Sequence, residues 1–245
     1  MATNYDEIAE EYQASKLQPW RQFIESYTLF NTLGDVTNKS VLDLACGEGF
    51  YSRQLKLRGA AIVEGVDVSE GMIQLARNSE ASKPLDINYH IHDVKHLELD
   101  KQFDIVTASY LMNYAQTYNE LKRFADVIKK HLKPGGRFVT INSNPSYDAP
   151  VDSTLKYGFT RENKGPKEGD DVVYRIYESN GNFFDIINYH LNKTTHVRAF
   201  QDAGFINIQW HKMLLNPEVE SHFEPDYWKA FLLTQPVTGF SCNRP

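Results

Sequence analysis

Cysteine is nearly missing. The 245-residue chain holds two, Cys46 and Cys242, far apart, and so sparse a pair makes no secreted disulfide framework. Lysine and arginine never gather into a run, and the net charge is −6. A nucleic-acid binder shows a basic stripe, so no such partner is expected. No stretch reaches the roughly 18 consecutive apolar residues of a membrane span. The opening segment, Met1 to Tyr12, lacks the basic and apolar regions of a signal peptide. Repeats and low-complexity tracts are missing too. These absences predict a cytoplasmic protein with no membrane or nucleic-acid partner, a monomer or homodimer that acts on a small molecule.

Aromatics are plentiful instead: 14 Tyr, 14 Phe and 3 Trp, or 13%. The apolar share of 41% and charged share of 24% suit a globular chain long enough to bury a core without covalent staples. The surplus of rings predicts a pocket lined by them.

Apolar spacing organises the chain. Tyr5, Ile8, Ala9 and Tyr12 fall at helical spacing, and a second helix is expected from Pro19 to a C-cap at Gly34. Strands are read at Ser40–Ala45, Ile62–Asp67, Ile87–His92, Phe103–Ser109 and Arg137–Asn142. Helices are read at Phe50–Arg58, at Ser69–Arg77 with Ser69 as N-cap, and at Tyr118–Leu132. The Lys133-Pro134-Gly135-Gly136 run reads as a stop. Alternating strands and helices predict an α/β fold, a doubly wound and mostly parallel sheet covered on both faces. After Pro150 the pattern turns polar, with Gly158, Gly165, Pro166, Gly169 and Gly181 as breakers. Val172–Glu178 and Asn182–Leu191 read as a hairpin around Ser179-Asn180-Gly181. Thr194 or Thr195 then caps a helix to Ala203, and Phe205–His211 and Val237–Cys242 close the fold. One domain is expected over 1–245: a helical cap (1–36), a core (37–145), an inserted antiparallel lid (146–193) and C-terminal core strands (194–245).

The strongest chemical signal is Asp43-Leu44-Ala45-Cys46-Gly47-Glu48-Gly49, set between a strand and a helix. Glycines there admit a ligand close to the backbone, and the helix start offers free N–H groups. Asp67 ends the next strand 18 residues after Gly49, near the spacing of about 20 at which an acid reaches a ribose. Asp93 ends the third strand, placed to accept from an exocyclic amine. A dinucleotide motif needs a third glycine, but that position is Ser52. Asp43 and Glu48 would also repel a pyrophosphate. A cationic sulfonium nucleoside fits these acids better. A nucleotide-dependent oxidoreductase and a non-catalytic cofactor-binding protein are the alternatives.

Val41–Gly49, Gly65-Val66-Asp67-Val68-Ser69 with Met72, His92-Asp93-Val94, Phe103–Val106 and Leu132–Gly136 occur in the order found in class I S-adenosylmethionine-dependent methyltransferases. The chain resembles the small-molecule members of that family over about residues 40–142. The opening Tyr5-Asp6-x-Ile8-Ala9-x-x-Tyr12 is similar to their N-terminal cap. Lys16-Leu17-x-Pro19-Trp20-Arg21, Ala45–Tyr51 and Tyr157-Gly158-Phe159 resemble the toxoflavin-type (azapteridine) N-methyltransferases. The resemblance implies a seven-stranded sheet and S-adenosyl-L-methionine as cofactor. It implies that Asp43 orients the methionine amine, with Ala45, Gly47 and Gly49 as close backbone. Asp67 would bind the ribose hydroxyls. Val68 and Met72 would sandwich the adenine, and Asp93 and the Val94 N–H would read its edge. Ser109 and Tyr110 would sit near the transferred methyl. Tyr5 and Tyr12 would close over the cofactor, and Lys16 would pair with its carboxylate.

Such a reaction needs mainly in-line alignment at about 3–3.5 Å. No general base stands out; Tyr12, Tyr110, His190 and His196 are the candidates. N-methylation of a small heteroaromatic acceptor in secondary metabolism is therefore expected, with O-methylation as the alternative. Trp20, Tyr157 and Trp228 are expected to line or cap the acceptor pocket, with Tyr147 and Tyr174 as further candidates. Cys46 carries no expected thiol chemistry. His90 and His92 share a strand face, but no third ligand accompanies them, so no metal is expected.

Overall fold

A computed structural model describes residues 3–165, 167–178 and 180–245. Met1, Ala2, the breaker Pro166 and the turn residue Ser179 lie outside the described residues. Helix α1 (Ala9–Ser15) begins the fold, after a turn that carries Tyr5. A π-helical turn, Arg21–Ser26, runs straight into α2 (Tyr27–Leu33). The alternating core follows: β1 (Ser40–Leu44), α3 (Phe50–Leu57), β2 (Ile62–Asp67), α4 (Glu70–Ser82), β3 (Ile87–Ile91), β4 (Phe103–Thr107), α5 (Tyr118–His131) and β5 (Leu132–Ser143). The insertion holds β6 (Phe159–Asn163), β7 (Asp171–Tyr177) and β8 (Phe183–Tyr189). Then come α6 (Lys193–Asp202), β9 (Ile206–His211), α7 (Lys229–Thr234) and β10 (Val237–Asn243).

The main sheet has seven strands in the order β3-β2-β1-β4-β5-β10-β9. β1 to β5 pair in parallel, and β10 lies antiparallel to both of its neighbours. Every residue of β1 is buried, as expected of a strand covered on both faces. Val41 packs with Leu55 of α3 and Ile73 and Ala76 of α4. Its neighbour Leu42 points the other way and packs with Leu121, Phe124 and Ile128 of α5. α5 starts with a capping box, in which Thr117 Oγ1 accepts the Glu120 N–H and the Glu120 carboxylate accepts the Thr117 N–H. Losing such a cap costs about 1 kcal/mol. No helix among the described residues is long and apolar enough to cross a membrane.

Four expectations need correction. Lys133–Gly136 is not a stop between elements but a bulge within β5. The β4 register jumps there, and Gly135 N–H and Gly136 O pair with Arg244 instead. The insertion is a three-stranded antiparallel sheet rather than a hairpin, because β6 adds to β7. Asn192, not Thr194 or Thr195, is the cap residue of α6; Thr195 instead donates its hydroxyl to Glu168 at 2.5 Å. α4 runs past Arg77 to Ser82.

Candidate active site

The turn from β1 to α3 is built on unusual backbone. Ala45, Gly47 and Gly49 all adopt positive φ, at 53°, 55° and 82°. For Ala45 this conformation costs about 1–2 kcal/mol, and such strain collects at functional sites. Asp67, at the end of β2, holds the turn by accepting the Gly47 N–H at 2.8 Å and the Ser69 N–H at 3.0 Å. Ser52 donates to Asp43 at 2.6 Å, so this position needs its hydroxyl and is not a third glycine. Gly49 abuts Tyr89, and a Cβ there would run into the Tyr89 ring.

A cleft of about 250 Å³ opens beyond the carboxyl ends of β1 to β4. β1 and β4 are neighbours in the sheet although β2 and β3 follow β1 in the chain. That reversal is where ligands bind in doubly wound sheets. The cleft brings together every residue predicted for the cofactor except Gly49, which faces Tyr89 and acts on the turn instead. Ser69 accepts the Met72 N–H and so starts α4 with Met72 facing the cleft. Asp93 accepts the Lys95 N–H, fixing Asp93 and Val94 at the end of β3. Val68 is 66% exposed at the rim, an apolar surface open to a ring. Tyr110, which lines the cleft, also has positive φ, 68°.

Three buried carboxyls crowd this cleft, with Asp93 exposed at its edge. Burial raises the pKa of Asp43 to about 7, and burial likewise raises those of Glu48 and Asp67. Both oxygens of Glu48 are buried and make no hydrogen bond among the described residues. The Ser109 hydroxyl is buried and unpaired in the same way. A buried orphan carboxylate is costly and fits a cationic ligand group, not a pyrophosphate. The site therefore fits an ammonium- and sulfonium-bearing nucleoside. Of the two lysines that line the cleft, Lys95 and Lys16, only Lys16 is buried. Burial works to lower its pKa, but Tyr12 and Glu25 more than reverse this. Burial pushes the Cys46 thiol well up, which keeps it from acting as a nucleophile.

Sequence reasoning missed the charged network behind the cleft. Glu25 is fully buried and accepts from the Tyr51 hydroxyl at 2.5 Å, from the Tyr110 hydroxyl, and from Arg21 at 3.2 Å. Lys16 lies 3.9 Å from it. Arg21 and Glu25 stand four residues apart amid Trp20, Phe23 and Ile24. An ion pair at helical spacing inside an aromatic run was the available signal. A small second pocket adjoins the cleft and shares Tyr5, Tyr12, Tyr110 and Tyr114 with it; Trp20, Arg21, Tyr174 and Asn188 add to its wall.

The predicted acceptor residues divide. Trp20 and Tyr174 line this second pocket. Tyr157 and Trp228 do not line either cavity: they stack on each other, centroids 5.3 Å apart, with Phe231 packed edge-on to Tyr157. Tyr147 is also outside, bonded to Ser153 and covered by Arg161. These rings pack the insertion onto the C-terminal segment because the Tyr157 hydroxyl donates to Tyr227 O and accepts the Phe231 N–H. His190 and His196 fall outside both cavities as well. His190 meets Asn192, and His196 is buried against Asn192 O and Trp210. Of the four candidate bases, only Tyr12 and Tyr110 reach the cleft. His90 lies beside Glu64 and His92 beside the Asp93 carbonyl. Among the described residues no three potential ligands gather around a metal position.

Residues 41–136 match the family described as "Methyltransferase domain". The chain is 42% identical over 109 residues to a ubiquinone biosynthesis O-methyltransferase of Coxiella burnetii, covering 43% of this chain and 45% of that protein. It is 30% identical over 168 residues to a demethylmenaquinone methyltransferase of Symbiobacterium thermophilum, covering 65% and 61%. It thus spans about half the length of the first of these relatives. An S-adenosylmethionine dependent methyltransferase of Mesorhizobium loti superimposes with a TM-score of 0.64 at 22% identity, over 90% of this chain and 97% of that one. Residues 41–136 are thus similar to a methyltransferase domain, and the fold is the one seen in S-adenosylmethionine-dependent methyltransferases.

Proposed function

We propose that this chain transfers a methyl group from S-adenosylmethionine to a small, flat acceptor. The observation that carries this reading is Glu48: a buried carboxylate, both oxygens unpaired, in a cleft lined by three more acids. Asp67 would take the ribose, and Val68 and Met72 the adenine faces. Asp93 and Val94 would take the adenine edge, Asp43 and Glu48 the positive end, and Lys16 the carboxylate.

S-adenosylmethionine supplies a methyl already activated by its positive sulfur, so the protein's work is alignment and exclusion of water. The N-terminal segment does part of this. Asp6 accepts the Ser69 hydroxyl at 2.6 Å and the Gly71 N–H at 2.9 Å, and Thr3 Oγ1 accepts the Ile187 N–H at 2.8 Å. These bonds clasp Tyr5 and Tyr12 over the opening, between α4 and β8. Ser109 and Tyr110, beyond β4, floor the transfer site.

No histidine lines the second pocket, and Glu25 is already committed to Tyr51, Tyr110 and Arg21. A neutral ring nitrogen, which needs no base, is thus the favoured nucleophile, as in the toxoflavin-type enzymes of secondary metabolism. O-methylation is the second reading, favoured by the similarity to the Coxiella burnetii O-methyltransferase. We read residues 1–245 as one cytoplasmic unit, monomeric or dimeric, with 146–193 as its lid. Incubation with S-adenosylmethionine and small aromatic amines, ring nitrogens and phenols, followed by mass spectrometry, tests the reading. Methyl gain on a ring nitrogen supports it. Gain on oxygen alone supports the second reading, and no gain on any acceptor counts against both.

A further inference from the structure

The second pocket carries a feature that its aromatic wall does not explain. Its volume is about 30 Å³, room for one or two small polar groups, since a single water needs roughly 10–15 Å³ measured this way. Two hydrogen-bond donors in its wall stay unused. Arg21 Nε and Asn188 Nδ2 are buried and make no hydrogen bond among the described residues. Arg21 and Asn188 are 3% exposed each. Buried donors without partners are rare and costly.

Glu25 holds Arg21 through Nη1 and takes two tyrosine hydroxyls. Tyr5 and Tyr114 pair hydroxyl to hydroxyl, and the Asn188 side chain approaches the Tyr114 hydroxyl without closing a hydrogen bond of good geometry. Arg21 Nε thus stays a buried donor without a protein acceptor. Its guanidinium is also held rigidly, 4.6 Å from the Trp20 ring centre and 5.5 Å from that of Tyr12. It springs from a π-helical turn, a rare conformation that is frequent at functional sites.

Resting on the methyltransferase reading, we infer that this pocket binds the polar end of the acceptor and selects an oxygen there. The ligand is a flat ring bearing a carbonyl or carboxylate oxygen, which takes Arg21 Nε–H and Asn188 Nδ2–H while the ring lies among Tyr12, Tyr110 and Trp20. The shared tyrosines place the rest of that ring toward the cleft. Arg21 and Asn188 are specificity residues, and the atom that is methylated faces Tyr110.

Ligand-observed NMR titration tests this with isatin, indole and indole-carboxylate as probes. Isatin has the indole skeleton with two carbonyl oxygens added. The titrations are run with and without S-adenosylhomocysteine, so the oxygen preference is read whatever the cofactor does. Wild-type protein is expected to bind isatin or indole-carboxylate at least about tenfold more tightly than indole, the size of one good charge-assisted hydrogen bond. The tighter of the two tells carbonyl from carboxylate. Asn188→Leu and Arg21→Lys should each cut that ratio several-fold, with S-adenosylhomocysteine affinity unchanged in Asn188→Leu. Should Arg21→Lys fail to fold, Asn188→Leu decides alone. Equal binding of all three probes to the wild type, or a ratio untouched by Asn188→Leu, overturns the inference and assigns the pocket to solvent. Failure of S-adenosylhomocysteine to bind would instead overturn the cofactor reading.

Discussion

Asp67 accepts the Gly47 N–H at 2.8 Å, so the acid that ends β2 also fastens the turn that follows β1. With its other oxygen on the Ser69 N–H, it ties two strand ends and the start of α4 into one rim. The acceptor capacity left on these oxygens is proposed to take the ribose. Asp67→Ala should therefore weaken S-adenosylhomocysteine binding by about 1.5–3 kcal/mol for each charge-assisted bond lost. Asp67→Asn, which retains one acceptor oxygen, should lose less. Calorimetry on folded variants checks this, and unchanged affinity in Asp67→Ala contradicts the ribose assignment.

Burial lifts Asp43 from its ordinary 3.8 to about 7. The carboxyl is thus neutral below that pH and anionic above it. An ammonium group needs the anion, so S-adenosylhomocysteine affinity should rise as pH climbs through 7. Below that point it should fall, by up to about tenfold per pH unit. Glu48 and Asp67, also raised by burial, act in the same sense. Asp43→Asn should flatten the profile. A wild-type affinity constant from pH 5.5 to 8.5, a range chosen to bracket that titration, would refute the assignment.

Glu25 is the only carboxylate within salt-bridge reach of Arg21 and Lys16 among the described residues. Glu25→Ala leaves two buried cations unpaired and should cost about 3–5 kcal/mol. Glu25→Gln, which can still accept from Tyr51 and Tyr110, should cost less. Thermal or urea melts measure both. A loss below about 1 kcal/mol in Glu25→Ala would mean that the network is solvated.

Tyr157 and Trp228 stack outside both cavities, so Tyr157→Leu and Trp228→Leu should lower stability by about 2–4 kcal/mol and spare turnover per folded molecule. Trp20→Leu removes a wall of the second pocket and should reduce acceptor turnover while S-adenosylhomocysteine binding holds. Melting curves and single-turnover assays separate the two effects. Wild-type stability with lost turnover in Tyr157→Leu would place that ring on the acceptor after all.

The alternating core was legible because β1, β2 and β4 are short apolar runs between plain turn signals, and because Asp43, Asp67 and Asp93 stand at or just beyond the ends of successive strands. Cofactor residues follow from such local grammar: they sit where a strand stops. The acceptor side does not. Arg21 and Glu25 are local partners four residues apart, but Asn188 of β8 joins them only through folding, and no spacing along the chain announces it. β6 was hidden by its own composition. Phe159 and Arg161 alternate inward with Thr160 and Glu162, and Arg161, buried on Ser143, Asn144 and Tyr147, reads in sequence as a loop charge. Tyr157 and Trp228 are rings of the kind a pocket needs, yet their contacts with each other and with Phe231 decided their place. The Lys133–Gly136 run carries every mark of a turn, but Arg244 from the far end of the chain draws it into the sheet.

The central claim is that the cleft beyond β1 to β4 takes a cationic, phosphate-free nucleoside cofactor. Isothermal calorimetry with S-adenosylhomocysteine and with NADH, on the same preparation, tests it most directly. The account predicts saturable one-to-one binding of S-adenosylhomocysteine, abolished in Gly47→Val, and no heat from NADH. Gly47 has φ 55°, which a β-branched residue resists, and valine there would also fill space that the nucleoside needs. Binding of NADH without S-adenosylhomocysteine would contradict the account. So would unaltered S-adenosylhomocysteine binding in a folded Gly47→Val variant.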